Sequence, residues 1–133
     1  MIVSDICYVA NVGDSRGIMS YNKGKKIYAL SKDHKPSKSS EQKRIRRAGG
    51  KIYVAKSNPS DTSPFGPHRV LPGRLSVSRT FGDIAAKKQS EGGNPNVIIA
   101  TPEIRSFRIT QECDYLLIAS DGVWDKLTNK EVS

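Results

Sequence analysis

The sequence predicts an α+β chain with antiparallel sheet as its main component, and three observations carry that expectation. Short apolar runs rich in β-branched residues recur between turn signals. Two of them flank Asn22-Lys23-Gly24, a turn of hairpin type. One segment alone combines helix-forming composition with helix boundary signals at both ends.

The elements follow in order. "ICYVANV" (6–12) reads as a strand broken by "GDSR", and "GIMSY" (17–21) and "KKIYAL" (25–30) as the two arms of the hairpin. "DHKPS" ends the sheet pattern, because Pro36 lacks a backbone donor and restricts the residue before it. Ser39 and Gln42 have the spacing of a capping box, "EQKRIRRA" is built of good helix formers, and Gly49-Gly50 supplies the stop. Only Ile45 and Ala48 are apolar there, a thin stripe that predicts a surface helix. "KIYVA" (51–55) is a further strand. Residues 56–68, "KSNPSDTSPFGPH", are dominated by Ser, Pro, Gly and Asn and read as a loop of the length that tends to be functional. The apolar segment 69–83 is interrupted by Pro72 and Gly73, "IAAKKQ" (84–89) suits a short helix, and "SEGGNPN" (90–96) is a second loop. "VIIA" (97–100), "EIRSFRI" (103–109) and "DYLLIAS" (114–120) are the remaining strands, with Ile104, Phe107 and Ile109 mainly on the apolar side of theirs. "TNKE" (128–131) is a Thr-x-x-Glu capping box two residues before Ser133, so the chain reads as cut from something longer.

The 133 residues suit one domain, with 36% hydrophobic and 26% charged content. Twenty-two Lys and Arg against 13 Asp and Glu give a net charge of +9, which favours anionic partners without choosing among them. The basic clusters at 23–26, 43–47 and 87–88 lack interleaved aromatic residues, so nucleic acid is not expected. No apolar run approaches membrane-spanning length, and the start has no signal-peptide pattern. Cys7 and Cys113 sit beside apolar residues, outside any zinc spacing, and read as buried free thiols of a reducing compartment. An intracellular location, cytoplasmic or nuclear, follows.

Three places can carry chemistry. Asp121 follows a run apolar enough for burial on both faces, where a carboxylate needs a partner or a cation. Asp125, four residues on, falls on the same side in a turn or first helical turn. Hard cations prefer such oxygen ligands, although an ordinary Asp-Gly turn explains the same pattern. Asp14 also ends a predicted strand, and it is either a ligand or a partner for Arg16. Arg79 and Asp83 stand four apart in "SVSRTFGD", close enough for an ion pair, with a phosphate-proximal role for Arg79 as the alternative. His34 and His68 read as loop residues, and no Ser/His/Asp or Cys/His set can be assembled.

"YVANVGDSR", "LSKDHKP", "E…RI…AGG", "RLSVSRTFGD", "TPEI" and "LLIASDGVWD" occur in one order. This series resembles the PP2C (PPM) family of metal-dependent protein serine/threonine phosphatases, and it covers nearly the whole chain. The resemblance implies an αββα architecture, an antiparallel β-sandwich flanked by helices, with two Mg²⁺ or Mn²⁺ ions at one edge and a weaker third in many members. A metal-activated water would attack the phosphorus of phosphorylated protein substrates. Asp121 resembles a ligand of the binuclear centre, and Asp14, Asp121 and Asp125 resemble the carboxylates of the outer site. The loop at about 56–68 resembles the flap beside the active site.

The family's R-x-x-x-E-D, D-G-H-G-G and D-N segments are not among these 133 residues, and His34 does not match the family's catalytic histidine. No catalytic residue is assigned. One carboxylate cannot hold two hard cations, so the chain is expected to be an inactive piece with an incomplete sandwich and exposed, self-associating sheet edges. The alternative is a non-catalytic PP2C-like module that binds phosphoproteins or another partner.

Overall fold

The computed structural model describes residues 1–55 and 66–132. The flap-like loop expected around 56–68 therefore lies mostly outside the described residues; its last residue, His68, opens a strand. The chain divides into two compact units, Met1–Asp33 with Pro102–Ser133, and His34–Thr101.

The first unit holds two three-stranded antiparallel sheets. In one, β2 (Ile6–Asn11) lies between β1 (Ile2–Val3) and β7 (Glu103–Arg108). In the other, β3 (Arg16–Tyr21) lies between β4 (Lys26–Ala29) and β8 (Cys113–Ala119). The predicted hairpin joins β3 to β4. Asn22, Lys23 and Gly24 all take positive φ there, and the Asp114 carboxylate accepts hydrogen bonds from the Lys23 and Gly24 amides at 3.0 and 2.9 Å. Those two amide contacts, Gly24 first, hold the Asp114 carboxyl below its ordinary range. α3 (Asp121–Trp124) follows β8 directly. Beyond it the expected capping box forms: Glu131 Oε2 accepts from the Thr128 amide and hydroxyl, both at 2.8 Å.

Three expectations for this unit are corrected. β8 is not buried on both faces, and Ile118 is 79% exposed. The reason is position: β8 is an edge strand, and among the described residues Leu116 and Ile118 line an open cleft of about 490 Å³ with Cys7 and Tyr8 of the other sheet. Ile104 and Phe107 fall on opposite faces of β7, as the period of two requires for an odd separation, which leaves Ile104 66% exposed. Both cysteines are free. Cys7 is buried as expected, but Cys113 is half-buried because it starts that edge strand.

The second unit has a closed core. α1 (Ser39–Arg47) lays Ile45 against Val70, Ala86, Val97 and Ile98. β5 (Lys51–Val54) pairs with β6 (His68–Leu71), and α2 (Ile84–Lys87) is a single turn. α1 is a surface helix with a thin buried stripe, as read: Ser39, Ser40, Lys43, Arg46 and Arg47 are exposed, and only Glu41 and Ile45 are buried. Its thin stripe suffices because Ile45 is fully enclosed and the next inward position, Glu41, is neutralised by arginines. Ser39 does not cap it. Lys38 stands at the N-cap, the Lys38 amide closes a turn onto the Lys35 carbonyl, and Gln42 reaches back to the Ser37 carbonyl instead. The C-terminal stop forms as read: the Gly49 and Gly50 amides bond to the Arg46 and Ile45 carbonyls, a Schellman arrangement. Any side chain at Gly50 would meet Val97 at 2.7 Å, so the core requires glycine there. Val97 and Ile98 of "VIIA" are buried, but the segment is not a strand. The Val97 and Ile98 amides turn back onto Asn94, and Ile99 makes one parallel bridge to Arg79.

Candidate metal-carboxylate end and the comparison with known proteins

Strand register places the candidate carboxylates. Arg16 pairs with Ala119 at the end of the antiparallel β3–β8 ladder. Asp14 lies two residues before Arg16 and Asp121 two residues after Ala119, so both emerge at the same end of that sheet. Asp14 is half-buried in the β2–β3 turn. Asp121 is exposed as the first residue of α3, and Asp125 is its exposed C-cap.

Arg16 is the organiser of this end. Its Nε and Nη2 donate to the two Asp33 oxygens at 2.8 and 2.6 Å, and Nη1 donates to Asn129 Oδ1 at 2.6 Å. Its guanidinium carbon lies 5.1 Å from the centre of the Trp124 ring, within cation–π range. Trp124 is fixed from its other edge by Nε1 donating to the Ala119 carbonyl at 2.7 Å. The Asp33 hydrogen bonds, reinforced by the charges of Asp33 and Asp125, raise the Arg16 pKa despite partial burial. The sequence offered Asp14 as an Arg16 partner; Asp33, 17 residues away, is the fork-shaped partner found. Nothing local in the sequence marks Asp33 or Asn129.

The oxygen donors at this end suit a hard cation in chemistry. Among the described residues, no three His, Cys, Asp or Glu side chains form a group that could hold a metal.

The second unit positions the other two candidates. Arg79 does not pair with Asp83. Its Nη2 and Nε donate to the Glu41 carboxylate at 2.6 and 3.2 Å, and Nη1 donates to the Thr101 carbonyl, so all three nitrogens are committed. Asp83 instead takes a left-handed conformation (φ 48, ψ 47) as the N-cap residue of α2. Glu41, 3% exposed, also accepts from the Ser78 hydroxyl and Arg44. Burial opposes its ionisation, but the bonds from Arg79, Ser78 and Arg44 outweigh that and pull its carboxyl down to about 2. Glu41, Arg44 and Ser78 escaped the sequence reading because their link spans 37 residues or more for Ser78 and Arg79. His34 is buried, and its backbone carbonyl accepts from the Ser78 amide and hydroxyl. His68 pairs with Val54 in the β5–β6 ladder.

The family model described as Protein phosphatase 2C matches residues 1–133. The chain belongs to the protein phosphatase 2C family. It is similar to the Arabidopsis thaliana protein named probable protein phosphatase 2C 61, at 41% identity over 128 residues, covering 94% of this chain and 37% of that protein. Among solved structures, a phosphatase from a pathogenic strain of Toxoplasma gondii is 34% identical with a TM-score of 0.67, over 90% of this chain and 32% of that one. A C. elegans sex determining protein superposes with a TM-score of 0.75 at 26% identity, over 96% of this chain and 26% of that one. This PP2C chain thus spans well under half the length of these relatives. Its α+β class with antiparallel sheets is that of the family's solved members.

Proposed function

We propose that this chain forms part of the catalytic domain of a metal-dependent protein serine/threonine phosphatase acting on phosphorylated protein substrates. The supporting observation is the family match across residues 1–133, together with the strand register that brings Asp14 and Asp121 to one sheet end with Asp125 next to them. In that reading Asp14, Asp121 and Asp125 are ligands on the outer side of a Mg²⁺ or Mn²⁺ centre, and Arg79 and Asp83 are structural. Bound metals supply the activated water in such a domain. The chain's own residues contribute oxygen donors and the scaffold beneath them, and no catalytic acid or base is assigned among them.

The 133 residues by themselves are inactive in this reading, because no three-ligand group is present among the described residues. The purified chain is expected to show no Mn²⁺-stimulated hydrolysis of a phosphothreonine peptide; turnover abolished by Asp121→Asn would overturn the inactivity. The missing group equally favours the second reading, a non-catalytic PP2C-like module that binds a phosphoprotein or another partner. Retention of phosphopeptide without hydrolysis, insensitive to EDTA, supports it. Self-association through the β8 edge belongs to the proposal as well, and sedimentation at rising concentration tests it. No helix among the described residues is long and apolar enough to cross a membrane. An intracellular location remains part of the proposal, and one rice relative is named as mitochondrial.

A further inference from the structure

The segment that carries Asp121 and Asp125 has little means of holding itself in place. α3 is four residues long, far too short to persist on its own, and Ser120 at its N-cap gives no side-chain cap. Its position must come from what it touches. A bound cation is one candidate anchor, since acidic groups gathered at one end repel one another unless compensated. The contacts at this end name another.

We infer that Arg16 is the positioning residue for this turn: a resident cation that docks α3 and its two carboxylates with no metal bound. All three guanidinium nitrogens donate. One edge forks onto Asp33, whose side chain is only 5% exposed, another donor meets Asn129, and the central carbon lies over the Trp124 ring. These contacts join the β3 start, the segment after β4, α3 itself and the segment after it. Trp124 lies between Asp121 and Asp125, and its ring is clamped between Arg16 and the Ala119 carbonyl. A guanidinium stays charged at every accessible pH, so the cationic side of these contacts needs no metal supply. Lysine would keep the charge but lose the fork and the planar face.

The claim concerns this chain's own contacts, so it can fail while the phosphatase reading survives, and the reverse also holds. Trp124 is the sole tryptophan and is 6% exposed, which makes its fluorescence a direct reporter. The experiment measures emission and acrylamide quenching of the full 133-residue chain in EDTA and in millimolar Mg²⁺, then repeats it for Arg16→Lys, Arg16→Ala and Asn129→Ala. The expected result is a shielded, blue-shifted Trp124 with the same quenching constant in EDTA and Mg²⁺. Arg16→Ala should raise that constant about twofold or more as the stacked cation is lost, with Arg16→Lys and Asn129→Ala between it and the parent. An exposed Trp124 in EDTA that Mg²⁺ shields would overturn the inference, and this arm needs no variant to fold. So would an Arg16→Ala chain with native far-UV dichroism and unchanged quenching. Loss of the fold in Arg16→Ala leaves the decision to the EDTA arm and to Arg16→Lys, where unchanged quenching contradicts the claim.

Discussion

The two units use the same device in opposite settings. In the His34–Thr101 unit a buried anion, Glu41, gathers two arginines and a serine beneath a core whose Ile45, Val70, Val97 and Ile98 are fully enclosed. In the other unit a cation, Arg16, gathers Asp33, Asn129 and Trp124 beside an open edge strand with Ile118 facing solvent. One ion network completes a closed core; the other orders the end of a sheet whose apolar surface is only half covered. The unit with the candidate metal carboxylates is thus locally ordered beside an apolar surface left partly open, whereas the unit without them encloses its apolar core.

The comparison can be broken from either side. The largest effect is expected at Glu41→Ala, which strands Arg44 and Arg79 without their carboxylate and should cost about 3–5 kcal/mol in denaturant unfolding. Ile98→Ala empties part of the closed core and should cost about 2–5 kcal/mol, whereas Ile118→Ala on the open edge should stay within about 0.5 kcal/mol. Equal costs at the two isoleucines would erase the distinction between the units.

Acid sharpens it further. Glu41 has its folded pKa depressed to about 2, so its contribution is present above the unfolded carboxyl range and is lost as pH falls through the folded value. A depression of that size corresponds to about 3 kcal/mol, lost between roughly pH 5 and pH 2. Glu41→Gln should flatten this acid dependence, and an unchanged pH–stability curve would remove Glu41 from the account. The smallest effect is expected at Asp83→Asn. Asp83 carries no Arg79 ion pair and sits at φ 48, where asparagine is equally tolerated, so unfolding should shift by under about 0.5 kcal/mol.

Much of the fold was legible because its signals are local. The Asn22-Lys23-Gly24 hairpin, the Gly49-Gly50 stop and the Thr128–Glu131 box each follow from residues within a few positions of one another. The family motifs were equally legible, since each is a short string. What could not be read was long-range. "VIIA" has strand composition, but Asn94 holds it in a turn, and its burial comes from α1. Arg79 has an acidic residue four places away and chooses one 38 places away, because only Glu41 is enclosed with it. Arg16 finds Asp33 and Asn129 across 17 and 113 residues. β8 failed for a different reason. Its uninterrupted apolar run encodes cover on both faces, and the described residues supply cover on only part of one.

Amide hydrogen exchange in dilute protein tests the central contrast most directly. The account predicts slow exchange through α1 and β6, with β8 protected only at the amides bonded to β3 and fast at those on its free edge. Uniform protection along β8, equal to that of α1 and independent of concentration, would contradict it.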